Sequence, residues 1–465
     1  MNRLPAFRPS ALTSAYPPCI PKLTRLAATR NLSNGLRPSL PVVSPTVARA
    51  QSSQPESWKF TPRQLNYPFD SAGYSNETVA LKVSSTDSAD FAPFWLRDNC
   101  QCSKCIHPDT RQRSVNTFSI PTNVTAKHVE YDGEVAKVQW SDGHDGVYPW
   151  AWLRAHTMIR HSAQKQLPVK SFRHFLPYNP GKSAYPTVLY DKVMSSDEGV
   201  LDWLQNIYLF GFSFVKGVPI DPESTKTLLE RIAFIRHTHY GGFWDFTADL
   251  TFKDTAYTTE FLGAHTDNTY FTDPARLQLF HLLSHTDGDG GASLLVDGFK
   301  AASVLKKENP VNYATLVNTF QPYHASGNDG TCIQPAEQAP VFKNHPSFRT
   351  LYQIRWNNYD RAAKRDWSTE EQNRWYNAAR HFDNIITRKS MQLWTQLEPG
   401  TALIFDNWRM LHGRSEFTGK RRMCGGYVNN DDFISRYRLL RFGRDKVLDN
   451  LGNYAATASN PNFFI

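Results

Sequence analysis

His265-Thr266-Asp267 and, far along the chain, Asp406-Asn407-Trp408-Arg409-Met410-Leu411-His412-Gly413-Arg414 hold the residues best suited to chemistry. Two residues apart on an extended strand, His265 and Asp267 project to one face. A second imidazole, His412, would complete two nitrogens and one carboxylate on one side of a metal. That set holds non-haem Fe(II) while leaving coordination positions open. An HxD pair arises by chance in many chains, where it is an ordinary hydrogen-bonded pair. Arg421, nine residues after His412, sharpens the signal, and a zinc hydrolase site does not explain it. Counting by two from Arg421 reaches Met423, Gly425 and Tyr427 on one strand face, with Arg422 opposite. An inward arginine beside the metal suits a bidentate grip on the far carboxylate of a 2-oxo diacid. Arg422 competes for that role; Arg421 is favoured because it shares the face of Tyr427.

Two further constellations stand out. Cys100-x-Cys102-x-x-Cys105, with His144 after the Asp142-Gly143 turn, offers three thiolates and an imidazole for a closed tetrahedral zinc site. Such a site would staple a small domain with little core of its own. The cramped spacing and odd number argue against disulfides, and His107 is the second choice for fourth ligand. Tyr240 and Trp244 lie four apart, one helical turn if that segment is helical. Tyr257 precedes the first iron ligand by eight residues. With Tyr427, these rings could hold a quaternary ammonium group by cation–π attraction, at roughly 0.5–2 kcal/mol per ring. An aromatic stripe taken alone is more often core.

These residues need elements to position them. The strands Val129–Tyr131 and Val135–Trp140, separated by Asp132-Gly133 and followed by Ser141-Asp142-Gly143, suggest a small β-rich unit. Pro168, Pro177, Pro180 and Pro186 mark an extended linker. Beyond it, Ser196-Asp197-Glu198 opens a helix burying Val200, Leu204 and Ile207 and ending before Gly211. Pro222-Glu223 opens another, with Leu228, Ile232 and Ile235 at helical spacing. Strand-like runs follow at Leu277–Leu283 and Ser293–Val296. The capping box Ser368-Thr369-Glu370-Glu371 starts a long helix with Trp375, Ala379, Phe382 and Ile386 on one face. Pro399-Gly400 then turns into a strand, Thr401–Phe405, that delivers His412. Strands carrying ligands, separated by helical insertions, predict a mainly β fold with flanking helices, a β-sandwich or jelly roll.

At 465 residues and 53.0 kDa the chain has room for two folded domains. It carries 29 Phe, 20 Tyr and 12 Trp, a composition that argues against disorder. The net charge of +9 suggests nucleic acid only until its distribution is read. Residues 1–55 contain no Asp or Glu but hold Arg3, Arg8, Lys22, Arg25, Arg30, Arg37 and Arg49. The remainder is close to neutral, so no nucleic-acid partner is expected. That basic, Ser- and Ala-rich start without a continuous apolar run reads as a mitochondrial transit peptide over 1–52. It implies the mitochondrial matrix. No apolar run approaches the roughly 20 residues needed to span a bilayer.

The chain resembles the taurine-dioxygenase-like superfamily of Fe(II)/2-oxoglutarate oxygenases, in its trimethyllysine and γ-butyrobetaine dioxygenase branch. The resemblance rests on Phe94-Trp95-Leu96-Arg97-Asp98-Asn99-Cys100, Asp254-Thr255-Ala256-Tyr257-Thr258, His265-Thr266-Asp267-Asn268-Thr269-Tyr270-Phe271, Leu295-Val296-Asp297-Gly298-Phe299, Asn357-Asn358-Tyr359-Asp360-Arg361 and Phe405-Asp406-Asn407-Trp408-Arg409. It implies a double-stranded β-helix (jelly roll) catalytic domain over 185–445 after a small zinc-binding β-rich domain over 57–165. It places the iron ligands on His265, Asp267 and His412, and the 2-oxoglutarate contacts on Arg421 and Ser293. The trimethylammonium cage falls on Tyr240, Trp244, Tyr257 and Tyr427. Asp254 would meet a substrate α-ammonium, and Asn357 its carboxylate. The implied activity is hydroxylation of Nε-trimethyllysine at its β-carbon, the first step of carnitine biosynthesis, with ascorbate keeping iron reduced and a homodimer as the assembly. The alternatives are γ-butyrobetaine hydroxylation and a non-catalytic binder of trimethylammonium groups.

Overall fold

The computed structural model describes residues 77–156, 185–247, 258–345, 350–449 and 451. All of them belong to one compact unit, Asp70–Ile465. The expected transit peptide, the proline-rich stretch at 168–180 and the positions of Asp254 and Tyr257 lie outside the described residues.

The first part is built from short antiparallel strands, as the Asp-Gly turn signals require. β1 (Val79–Lys82) pairs with β2 (Ser88–Phe91), and β3 (Ala126–Asp132), β4 (Val135–Trp140) and β5 (Asp145–Pro149) form a three-stranded meander. Both of its turns use glycines with positive φ, Gly133 at 58° and Gly143 at 82°, which other residues rarely adopt. Ala136, Val138 and Trp140 alternate inward along β4 and meet Leu81, Leu96, Tyr148 and Leu153 in a small separate core. Cys100 and Cys105 are buried in that core.

The catalytic part is two facing sheets. The larger has the order β6-β7-β17-β10-β19-β8, built from β6 (Thr187–Leu189), β7 (Phe212–Lys216), β8 (Trp244–Thr247), β10 (Leu277–Thr286), β17 (Thr401–Asp406) and β19 (Lys420–Val428). The smaller runs β16-β11-β18-β9, from β9 (Leu262–His265), β11 (Ser293–Asp297), β16 (Gln392–Thr395) and β18 (Met410–Arg414). Two short hairpins, β12 (Phe320–Gln321) with β13 (Ala339–Pro340) and β14 (Phe342–Asn344) with β15 (Leu351–Ile354), fill an insertion. Among the described residues, no helix is long and apolar enough to cross a membrane.

Helices cover both sheets from outside. Asp197–Phe210 is capped by the Ser196 side chain and stopped by Gly211 at φ 86°, and it buries Val200, Leu204 and Ile207 against the larger sheet. Thr369–Ile386 starts with the expected capping box and buries Trp375, Phe382 and Ile386 in a second core. The helix opened by Pro222 is shorter than its spacing suggests. It ends at Glu230, so Ile232 packs into the core from beyond it. His412 also arrives differently. Thr401–Asp406 lies in the larger sheet, and a tight turn at Asn407–Arg409 passes the chain to β18 in the smaller one.

Candidate active site

Strand pairing joins the first and last triad members. His412 on β18 is the direct cross-strand partner of His265 on β9. The expectation that strand alternation presents Asp267 needs correction, because β9 ends at His265. Asp267 is held instead by its backbone: its N–H donates to Asn407 Oδ1 at 2.8 Å, and Asn407 Nδ2 donates back to the Asp267 carbonyl at 3.0 Å. The same Nδ2 reaches the Ala275 carbonyl at 3.0 Å, so the turn that leads to His412 also fixes Asp267.

The three side chains converge. Asp267 Oδ1 lies 3.3 Å from His265 Nε2, and Oδ2 lies 3.7 Å from His412 Nε2. His265 Nδ1 donates to the Gly263 carbonyl at 2.8 Å, which leaves Nε2 as the lone-pair nitrogen facing the carboxylate. Burial pushes the Asp267 carboxyl up, yet the His412 and His265 imidazoles outweigh it and hold it well below the usual carboxylate range. Burial also holds His412 below its ordinary value. A preformed carboxylate between two imidazoles, with ligand atoms within 4.8 Å of one another, fits a divalent metal with open positions.

The triad opens into a cavity lined by both sheets. Arg421, Met423 and Tyr427 line it, whereas Arg422 points away and pairs with Asp245 at 2.5 Å. The strand phase read from the sequence therefore holds. Arg421 is 7% exposed, and its Nε has no hydrogen-bond partner among the described residues. A side chain at Gly291 would crowd that Nε at 3.2 Å. Burial, then the neighbouring Arg414, pulls the Arg421 guanidinium down to about 10, leaving it charged at neutral pH. A buried guanidinium with an unpartnered Nε, facing a cavity that Ser293 lines from the smaller sheet, fits the far carboxylate of a 2-oxo diacid.

Tyr240, Trp244 and Tyr427 line the same cavity, joined by Phe246, Tyr270 and Phe280. The helical turn expected for Tyr240 and Trp244 is absent: Thr238 and Gly241 bridge in a tight turn, and Trp244 begins β8. Trp244 pairs in register with Gly425, where a Cβ would overlap its ring. That glycine lets the indole lie across β19, 6.2 Å from the Tyr427 ring centre. Asn357 also lines the cavity, but its amide is engaged, donating to Asp360 Oδ2 at 2.8 Å and accepting from the Tyr359 N–H at 2.9 Å.

Sequence reasoning assigned no role to Asn407, Gln278, Tyr270 or Asp360. Gln278 carried a usable signal, being a lone amide within the apolar run Leu277–Leu283. Asn407 and Asp360 lie inside quoted motifs, but nothing in their spacing says what they touch.

The cysteine cluster closes around one nitrogen. His144 Nε2 lies 3.3 Å from Cys100 Sγ, 3.6 Å from Cys102 Sγ and 3.4 Å from Cys105 Sγ. A tetrahedral zinc with ordinary Zn–S and Zn–N lengths has an S···N edge of about 3.6 Å. Burial pushes the Cys100 thiol up to about 12 in the absence of a metal charge. His107 is not part of this cluster, and its Nδ1 accepts from the Asp109 and Thr110 N–H groups at 3.2 Å each. The donor set fits zinc.

Facing sheets with a two-histidine, one-carboxylate triad at their rim define an Fe(II)/2-oxoglutarate-dependent dioxygenase. Residues 172–427 match the family model of the taurine catabolism dioxygenases (TauD, TfdA family), and residues 73–154 match that of the γ-butyrobetaine hydroxylase-like N-terminal domain. A trimethyllysine dioxygenase of Neurospora crassa is 47% identical, over 76% of this chain and 81% of its own. The mitochondrial trimethyllysine dioxygenase of Gallus gallus is 39% identical, over 74% and 82%. A γ-butyrobetaine dioxygenase of Pongo abelii is 28% identical, over 75% and 90%. The chain belongs to the trimethyllysine dioxygenase family of these enzymes.

Proposed function

We propose that this enzyme hydroxylates Nε-trimethyllysine at its β-carbon, using O2 and 2-oxoglutarate, as the first step of carnitine biosynthesis. The observation that carries the reading is one cavity holding the His265–Asp267–His412 triad, Arg421 with its unpartnered Nε, and a wall of aromatic rings. Iron and 2-oxoglutarate, when bound, supply the oxidation: the keto acid becomes succinate and carbon dioxide, one oxygen atom of O2 enters the succinate, and the other enters the substrate C–H bond. The chain's own residues do the rest. His265, Asp267 and His412 hold the metal on one face, Arg421 and Ser293 orient the far carboxylate of 2-oxoglutarate, and Tyr240, Trp244 and Tyr427 receive the trimethylammonium head. By sequence position, Tyr257 completes the cage and Asp254 meets the α-ammonium group, with Asn357 near the substrate carboxylate.

Cys100, Cys102, Cys105 and His144 bind structural zinc in this proposal, and ascorbate maintains the iron, as the resemblance implies. We place the enzyme in the mitochondrial matrix, in keeping with the basic, acid-free segment at 1–55 and the mitochondrial names of the animal relatives. A homodimer is the expected assembly. Identity is higher to the Neurospora crassa trimethyllysine dioxygenase than to the Pongo abelii γ-butyrobetaine dioxygenase, which favours the former substrate. Turnover with each compound offered separately, with Fe(II), 2-oxoglutarate and ascorbate, tests the reading. Preference for γ-butyrobetaine would reverse the assignment, and substrate binding without succinate release would make the protein a binder.

A further inference from the structure

We propose that Gln278 and the Tyr427 hydroxyl form a two-donor clamp on Asp267 that fixes it as a one-oxygen metal ligand. The inference rests on the assignment of Asp267 as a ligand and deepens it. Gln278 on β10 and Tyr427 on β19 are register partners, so their side chains stand together on the inner face of the larger sheet. From there both reach across to Asp267, which follows β9 of the smaller sheet. Gln278 Nε2 donates to Asp267 Oδ2 at 2.7 Å, and Tyr427 Oη donates to the same oxygen at 3.0 Å. A longer contact of 3.4 Å runs from Gln278 Nε2 to Tyr427 Oη and closes the triangle.

Both donors therefore converge on Oδ2, while Oδ1 is the oxygen nearest His265 Nε2. The amide orientation is dictated by this contact. Reversing it would set the Gln278 carbonyl against a carboxylate, so Oε1 is the end left buried without a hydrogen-bond partner among the described residues. Gln278 is 1% exposed, and water does not compensate that oxygen from bulk solvent. An unsatisfied buried acceptor is costly, and the arrangement persists because the opposite end of the amide holds a charged oxygen.

A carboxylate pinned at one oxygen cannot rotate to bind a metal through both. With a metal bound, the coordination position that bidentate binding would fill would be left for the keto acid or oxygen. Tyr427 also contributes its ring to the aromatic wall, so one residue serves both the substrate cation and the metal ligand. Gln278 and the Tyr427 hydroxyl are positioning groups in this scheme, since they act through Asp267.

The test uses metal-free full-length protein and Mn(II), with free Mn(II) followed by electron paramagnetic resonance. Asp267→Ala is expected to abolish the tight site, which checks the ligand assignment by itself. Gln278→Leu and Tyr427→Phe are each expected to weaken Mn(II) binding about ten-fold or more, the usual effect of removing a hydrogen bond to a ligand. Each is also expected to shift the visible bands of the Co(II)-loaded protein, a change that a purely structural role would not produce. Tyr427→Phe keeps the ring, so affinity for tetramethylammonium should change far less than affinity for Mn(II). Unchanged Mn(II) affinity in Tyr427→Phe and Gln278→Leu, with the site lost in Asp267→Ala, would overturn the clamp alone. A site that survives Asp267→Ala would overturn the ligand assignment and the clamp with it.

Discussion

His265 and His412 face one another across β9 and β18 as register partners, with ring centres 4.4 Å apart. Backbone pairing sets that separation, and Asp267 is then brought between the two Nε2 atoms by Asn407. The ligand set is thus built by three strand-end elements that share hydrogen bonds. Replacing His265 or Asp267 with Ala should remove iron-dependent succinate production while the thermal unfolding transition persists. Normal turnover in either variant would refute the metal assignment.

The inward and outward arginines of β19 make a sharp comparison. Arg421→Ala should raise the 2-oxoglutarate KM by about ten-fold or more, since charge-assisted hydrogen bonds contribute roughly 1.5–3 kcal/mol. Arg422 sits on the surface with Asp245. Exposed ion pairs of this kind contribute at most about 1 kcal/mol, so Arg422→Ala should leave the KM nearly unchanged. Equal effects would mean that Arg421 does not grip the cosubstrate.

Much of this site was legible in the sequence because it rests on local periodicity. Period two on β19 separated Arg421 from Arg422, and the caps at Ser196, Gly211 and Ser368 marked real helix ends. What stayed hidden depends on contacts between distant segments. The Asn407 clamp on Asp267 spans 140 residues, and the Gln278 contact joins two sheets. Helical spacing pairs Tyr240 with Trp244, yet they reach the same cavity from a turn and a strand, and Gly425 makes room for the indole. Spacing identifies candidates; which of them converge is decided by the pairing of β9, β10, β18 and β19.

The cysteine cluster predicts about one zinc per chain, separate from the catalytic iron and resistant to mild chelation. Its three sulfurs surround His144 inside a small core, so replacing Cys102 should lower folded yield rather than alter substrate affinity selectively. Elemental analysis of active protein that finds no zinc would refute the assignment.

A pH dependence follows from His281, which is fully buried and pushed down to about 4 by that burial. The Gly400 N–H donates to its Nε2 at 3.1 Å, so the proton resides on Nδ1, which donates to Thr225 Oγ1 at 2.7 Å. The Thr225 hydroxyl in turn donates a hydrogen bond to the Asp221 carbonyl at 2.9 Å. Between about pH 6.5 and 4 the unfolded chain binds a proton that the folded protein excludes, so stability falls as pH drops through that window. At pH 5 the loss from this group should be about 2 kcal/mol. Denaturant unfolding at pH 7 and pH 5 should show a smaller acid loss for His281→Gln than for the wild type; identical losses would exclude His281 as the cause.

Substrate choice is tested at the far end of the ligand, because trimethyllysine and γ-butyrobetaine carry the same trimethylammonium head. Only trimethyllysine presents an α-ammonium beside its carboxylate. Asp254, whose position lies outside the described residues, is the partner we propose for that charge. A partly buried carboxylate paired with an ammonium is worth a few kcal/mol, since losing one partner leaves the other charge unpaired. Asp254→Asn should therefore weaken trimethyllysine turnover by roughly ten-fold or more, with about 1.4 kcal/mol corresponding to each factor of ten. Any residual γ-butyrobetaine activity should be unchanged or improved, because that substrate has no α-ammonium to lose a partner. Parallel steady-state kinetics on both substrates provide the check, and an equal loss on both would mean that Asp254 supports the site without selecting between them.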